Sequence, residues 1–349
     1  MTEVSVVSDS PGHEAQIVST VGTISTQTCV ACGGNQFRGV FDDLGSAEGQ
    51  RYSVRQCCQC GLGVTDPQPS EDELRSLYKS EYYRTTGPGP QNALTRLGRY
   101  LVRQVLRGHD PLLESAQRGR ILDIGCGNGE FLRRMGDLGW ETHGTDSSPA
   151  AVQLARRFAK DVRLARASEP VFDDKQFDVV TMFNVFEHVP DPIETLAEVY
   201  RILKDEGRLI LEVPNFQSLA FRIVQRNWIG LDVPRHLYHY SPRALITLAE
   251  AQGLQVESFR GFKFLPNLYI VFRSLANAIF SPDSIALFDP AFENARPLTQ
   301  LRILAKSLMP LILTVPIVLA ERIGSARGES MDVVFRKRAS LSPTFVGRR

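Results

Sequence analysis

Residues 121–132 read Ile-Leu-Asp-Ile-Gly-Cys-Gly-Asn-Gly-Glu-Phe-Leu. A short apolar strand carrying one acid runs into three glycines at alternate positions, and a helix follows. Glycine in such a turn accepts positive φ and lets the main chain approach a ligand closely. In an open α/β sheet ligands bind at the carboxyl ends of the strands, where this turn falls. The spacing departs from the dinucleotide fingerprint G-x-G-x-x-G, because the third glycine comes one residue early, at Gly129. Asp123 stands just before the glycines. A carboxylate there suits a cationic group such as an amine and repels a pyrophosphate. The next strand ends in Gly144-Thr145-Asp146-Ser147, and an acid in that place can accept both hydroxyls of a ribose.

Elements alternate outward from this turn. The spacing predicts a helix over 129–138, a strand over 141–145 and a helix over 149–160 opened by the pair Ser148-Pro149. Strands at 161–165 and 177–182 follow. Asp191-Pro192-Ile193-Glu194 reads as a cap, and its helix is expected to bury Ile193, Leu196, Val199, Tyr200 and Leu203. Lys204 to Gly207 is expected to end that helix before a strand over 208–213. A helix at 241–252 and strands at 254–259 and 331–336 complete the set. Such alternation reads as a doubly wound, mostly parallel α/β sheet.

Asp123, Gly125, Cys126, Gly127, Gly129, Asp146 and Ser147, with the continuation FDVVTMFNVFEHVPDPIETLAEVYRILKDEGRLILEVPN over 177–215, resemble the class I S-adenosylmethionine-dependent methyltransferases. The resemblance runs from about residue 119 to 260. It implies a Rossmann-like sheet of seven strands, the last antiparallel. It also implies that these seven residues and Asn184 bind S-adenosyl-L-methionine, and that the chain is a methyltransferase.

Five of the six cysteines lie before residue 61. Cys29-x2-Cys32 and Cys57-x2-Cys60, separated by 24 residues, offer four thiolates, a set that suits tetrahedral zinc. Four thiolates leave no open position, so the zinc is expected to be structural. Cys58 competes with Cys57, but only Cys57 stands at the knuckle spacing from Cys60. Gly33, Gly34 and Gly61 fit the tight turns of such knuckles. The run from Tyr52 to Tyr83 resembles the N-terminal zinc-binding region of some sugar and glycan-pathway methyltransferases.

Two segments offer proton-transfer groups. Asn184-Val185-Phe186-Glu187-His188 lies just past the fourth strand of the main sheet. In the related ubiquinone-biosynthesis O-methyltransferases three acidic or His positions there bind a divalent ion. Glu187 and His188 match two of them, whereas Asn184 replaces a carboxylate. The second segment, Asp232 to Pro242, holds Arg235, His236, Tyr238, His239 and Tyr240 on the substrate side of the sheet. His236, His188 and Tyr238 are the catalytic candidates, with His236 the expected base and Arg235 a holder of anions. His13, His109 and His143 are read as incidental.

The organisation follows: a tail over 1–25, a zinc ribbon over 26–66 and a helical linker over 67–118. The methyltransferase domain spans 119–338, with a substrate lid at 215–240 and a helical insertion at 261–330; a basic tail covers 339–349. Ser70 and Glu73 read as a capping box for a short helix through Tyr78. Forty basic against 39 acidic residues leave +1, which argues against nucleic acid as the partner. The expected acceptor is a small molecule or glycan intermediate. The rivals are a zinc-ribbon interaction protein whose methyltransferase domain is not catalytic, a methyltransferase acting on RNA or protein, and a nicotinamide oxidoreductase. The last is disfavoured by the glycine spacing and by Asp123. The N-terminus lacks a basic, then apolar leader, and a cytoplasmic place is expected. The uncharged run 308–320 is short for a span; it reads either as a core helix or as a surface touching the inner face of a membrane. Oligomeric state is not legible.

Overall fold

The protein is described by a computed structural model, which defines residues 28–45, 49–77, 113, 118–261, 263–280, 309–310, 312–322 and 328–338. The expected tails, most of the helical linker and residues 281–308 of the insertion lie outside these described residues.

Two sheets carry the fold. The N-terminal one is built from β1 (Phe37–Gly45), β2 (Arg51–Cys57) and β3 (Gly63–Asp66), all antiparallel. A helix, α1 (Glu71–Leu77), follows. Ser70 Oγ accepts from the Glu73 N–H at 3.3 Å while Glu73 Oε2 accepts from the Ser70 N–H at 2.6 Å. This reciprocal pair satisfies two donors that a helix start leaves open.

The main sheet starts with β4 (Arg120–Ile124), and α2 (Glu130–Asp137) returns the chain to β5 (Glu141–Asp146). Then come α3 (Pro149–Ala155), β6 (Asp161–Leu164), β7 (Phe177–Phe183), α4 (Pro192–Ile202) and β8 (Leu203–Pro214). After α5 (Leu219–Val224) a two-residue strand, β9 (Tyr238–His239), leaves the main sheet and pairs with β3. The chain ends with α6 (Pro242–Ala251), β10 (Leu254–Arg260), α7 (Phe264–Ile279) and β11 (Ser330–Lys337). Strand order is β10-β11-β8-β7-β4-β5-β6, and β11 is antiparallel to both neighbours.

Alternation along the strands sorts the core into two layers. Leu122, Val180, Leu209, Leu211, Val333 and Phe335 face Leu196 and Val199 of α4 and Leu245 and Leu248 of α6. That layer continues without a break into Cys29, Cys57, Cys60, Leu62 and Tyr240. Ile121, Val179, Ile210 and Val334 point the other way, onto Phe131 and Met135 of α2.

Several sequence expectations are corrected. Helix α3 stops at Ala155 rather than 160, because the chain tightens there into a turn with Phe158 N–H on the Ala155 carbonyl at 2.9 Å. In α4 the buried positions are Pro192, Thr195, Leu196, Glu198, Val199 and Ile202. Ile193 falls off that face and is 37% exposed, and Tyr200 is only partly buried. Asp191 precedes α4 without a side-chain capping bond. Residues 204–207 do not form a terminating turn: β8 starts at Leu203 directly after the helix, pairs there with Phe177, and shifts register before Val179 meets Arg208.

The apolar run near 308–320 is helical over 312–322. Thr314, Val318 and Glu321 are buried, while Ile312, Leu313, Val315 and Leu319 are exposed. No helix among the described residues is long and apolar enough to cross a membrane. Val318 packs with Phe216, Phe221, Trp228, Val271 and Leu275, so this helix, α5 and α7 share one apolar cluster with Phe41 and Val54 of the N-terminal sheet.

Lys263, just before α7, locks that helix to the sheet. Its Nζ lies 2.5 Å from Glu212 Oε1 and 2.8 Å from Asp332 Oδ1, with all three side chains nearly fully buried. Removing the ammonium leaves two acids in a site water cannot reach. Lys263→Met is therefore expected to cost about 3–5 kcal/mol of stability, read as a lowered midpoint in urea unfolding.

Candidate active site

The glycine turn between β4 and α2 is fixed by one acceptor. The Thr145 carbonyl receives the N–H groups of Gly125 and Cys126 at 2.8 and 2.9 Å. Gly125, Gly127 and Gly129 all have positive φ, at 74°, 53° and 80°. Two of them are also required by space. A Cβ on Gly125 would meet Val185 at 2.4 Å, and one on Gly129 would meet the Ala155 Cα at 2.7 Å. Gly127 faces no atom within 4 Å, so the top of the turn is open for a ligand.

Asp146 organises the same turn. Its Oδ2 accepts the Gly127 N–H at 2.9 Å and its Oδ1 the Ser148 N–H at 2.8 Å. Burial pushes its pKa up against the effect of these two bonds. A carboxylate has about four lone-pair sites, so capacity remains for further donors. Asp123 is 4% exposed and accepts from Thr181 Oγ1 at 2.7 Å. Cys126 is buried between these acids; burial first, then Asp123 and Asp146, pushes its thiol far up. Ser147 is exposed beside Asp146, and Asn184, also exposed, adopts φ 53° with its N–H on the Glu212 carbonyl at 2.8 Å.

A second group gathers past the ends of β7 and β8. His188 Nδ1 lies 2.9 Å from the Arg235 carbonyl, and His236 Nδ1 lies 2.9 Å from the Gly230 carbonyl. A carbonyl only accepts, so each Nδ1 carries the proton and each Nε2 the lone pair. The two rings meet edge to face at 4.6 Å. Burial lowers both imidazoles, His188 to about 3, which keeps them neutral. Glu187 is 1% exposed and neither carboxyl oxygen has a hydrogen-bond partner among the described residues; burial pushes it up to about 8. His236 Nε2 lies 3.9 Å from Glu187 Oε1 and 3.8 Å from Asp232 Oδ2.

Ligand atoms of Glu187, His188 and His236 all fall within 4.8 Å of one another, so this trio could hold a cation. Tyr238 stands apart from it, with its hydroxyl 3.4 Å from the Pro190 carbonyl. Arg235 is paired with Asp232 at 2.8 Å, so its guanidinium is already committed to an acid.

The four cysteines form a third group. Their sulfurs lie within 4.8 Å of one another, with Cys29–Cys60 at 3.5 Å and Cys32–Cys57 at 3.6 Å. Thiolates on a tetrahedral zinc sit about 3.8 Å apart, so the set fits the metal. Gly33 and Gly61 close the knuckles at φ 71° and 80°, with N–H bonds to the Cys29 and Cys57 carbonyls. Cys58 is exposed and outside the cluster.

Residues 97–258 match the family described as Methyltransferase domain. A ubiquinone biosynthesis O-methyltransferase of Xanthomonas oryzae pv. oryzae is 31% identical over 160 residues, covering 42% of this chain and 67% of the relative. The chain belongs to the S-adenosylmethionine-dependent methyltransferases. A protein of the same description from Cereibacter sphaeroides is 32% identical over 159 residues, which is 42% of this chain and 64% of that relative, just under two thirds of its length. Among solved structures, a SAM-dependent methyltransferase from Archaeoglobus fulgidus is similar with a TM-score of 0.45 and 23% identity, over 68% of this chain and 94% of that one.

Sequence reading placed the glycine turn, Asp146 and the cysteine cluster by local spacing alone. The isolation of Glu187 and the contact between His188 and His236 were not readable, because they depend on two loops 47 residues apart meeting in space. Gly129→Ala combines a forbidden φ with a backbone collision. It is expected to destabilise the protein by about 1–3 kcal/mol and to lower thermal stability, whereas Gly136→Ala, inside α2 with no atom near its Cβ, is expected to raise stability by up to about 1 kcal/mol.

Proposed function

We propose that this methyltransferase alkylates an oxygen of a small-molecule acceptor, with His236 taking the acceptor's proton. The observation that carries the reading is a neutral, buried imidazole whose Nδ1–H is held by a carbonyl, so that its basic Nε2 lies beside the His188 ring beyond the ends of β7 and β8. The cofactor, when bound, supplies an electrophilic methyl group on a sulfonium. Asp123 would hold its amino group, Asp146 its ribose, and the turn Gly125–Gly129 its close approach, with Cys126, Ser147 and Asn184 lining the same crevice. Alignment and exclusion of water would supply most of the rate. Similarity to ubiquinone biosynthesis O-methyltransferases favours oxygen as the nucleophile. A sugar or glycan-pathway hydroxyl fits the same chemistry. Zinc on Cys29, Cys32, Cys57 and Cys60 would be structural.

A second reading is favoured by the partnerless Glu187. A divalent cation held by Glu187, His188 and His236 would lower the pKa of an acceptor hydroxyl. Protein carrying its ribbon zinc alone is expected to transfer methyl at full rate under the base reading. Under the cation reading it needs an added divalent ion.

Labelled-methyl transfer into cell-extract fractions, followed by mass spectrometry of the product, identifies the acceptor. In that assay His236→Ala is expected to lower kcat by about 10²–10⁴, with cofactor affinity unchanged. Asp146→Ala is expected to weaken cofactor binding by about 1–3 kcal/mol in calorimetry. Loss on His188→Ala with none on His236→Ala would move the base to His188. Unchanged affinity in Asp146→Ala would sink the cofactor assignment.

A further inference from the structure

The N-terminal sheet has four strands, and the fourth, β9, is donated by the loop that carries His236. Gly63 pairs with His239 and Val64 with Tyr238. Three bonds extend this ladder on one side. The Thr65 N–H reaches the Leu237 carbonyl at 3.0 Å, Thr65 Oγ1 donates to the His236 carbonyl at 2.6 Å, and Thr65 Oγ1 lies 3.1 Å from His239 Nε2. Since the hydroxyl proton is used on His236, the His239 Nε2–H must donate to Thr65 Oγ1. At the other end Ser241 Oγ donates to the carbonyl of Cys60 at 2.8 Å. Cys60 is itself one of the four clustered thiols.

The loop is tied to the main domain through the opposite edge of the same residues. The Leu237 N–H donates to the Glu187 carbonyl at 2.9 Å, and His188 Nδ1 bonds the Arg235 carbonyl. Leu237 therefore bridges the ribbon, through Thr65, and the Glu187–His188 turn. Thr65 is fully buried and His239 is 3% exposed, so these bonds are shielded from water while the ribbon is closed and the loop depends on them. The glycine turn follows β4, which pairs with β7, and Gly125 faces Val185, but its hydrogen bonds run to Thr145 and Asp146 of β5.

We propose that the cysteine ribbon is a positioning part of the active site: its metal-closed fold, through Thr65, sets where His236 stands relative to His188 and Glu187. The inference rests on the reading that His236 belongs to the transfer site. It makes proton removal conditional on ribbon metal, while cofactor binding is not. An appendage that served only as an independent binding module would show no such dependence.

Hydrogen exchange on the full chain, followed by mass spectrometry, tests this without any acceptor. Metal analysis of the wild-type protein is expected to give about one zinc per chain. Cys32→Ser is expected to lose it and to speed exchange across 235–239 by about tenfold or more. Exchange at 121–129 and S-adenosylmethionine affinity by calorimetry are expected to stay within about twofold of wild type. Thr65→Val keeps the four thiols and is expected to retain zinc yet speed exchange over 235–239, and Thr65→Ser is expected to restore protection. Unchanged protection of 235–239 in both Cys32→Ser and Thr65→Val overturns the proposal, as does loss of protection at 121–129 to the same extent. If the exchange results hold but Thr65→Val transfers methyl as fast as wild type, the ribbon positions the loop and the assignment of His236 as base fails instead.

Discussion

The structure turns on a reversal of direction within one sheet. From β4 the chain winds outward through β5 to β6, then returns to place β7 on the other side of β4. Right-handed crossovers on both sides put their helices on opposite faces. The loops leaving β4 and β7 must therefore diverge, and a crevice opens at the carboxyl ends of these strands. The glycine turn occupies one wall of that crevice, and Val185, pressed against Gly125, belongs to the other. A side chain at Gly125 would force the walls apart.

The crevice separates two kinds of chemistry. On the β4–β5 side the polar groups are carboxylates, Asp146 accepting main-chain N–H bonds and Asp123 the Thr181 hydroxyl, which favours a ligand rich in donors. On the β7–β8 side the groups are imidazoles kept neutral by burial and an acid with no partner. These environments follow from desolvation: a charged group is penalised on burial unless bonds compensate it. Asp146 has such bonds; Glu187 does not.

How much was legible in the sequence varies with the range of the interaction. The alternation of strands and helices, the glycine turn and the grouping of the four cysteines follow from short spacings, whereas the count of seven strands with the last antiparallel is legible only through the family resemblance, and the sheet agrees with it. In α4 the buried face is rotated by one position from the expected periodicity, so that Thr195 and Glu198 are buried and Ile193 is not. The α4–β8 junction was missed because Lys204 to Gly207 has turn chemistry, with Glu206 at φ 64°, yet the backbone continues into the sheet. Nothing local marks Lys263, Glu212 and Asp332 as one ion cluster, since the three come from separate parts of the chain. The donated strand β9 is two residues long, below any period that a sequence pattern can reveal.

That donated strand has a consequence for biosynthesis. Thr65 and His236 are 171 residues apart, and Thr65 and His239 are 174. When residues 28–66 leave the ribosome, β2 is in place but the second partner of β3 has not been made. Until Tyr238 and His239 emerge, Gly63–Asp66 is an open sheet edge, the kind of surface that pairs with whatever strand is nearest. Contacts of such long sequence separation form late. A segment translated well before β9 is thus among the last to be finished, and at high expression levels its unprotected edge is where nascent chains would stick to one another.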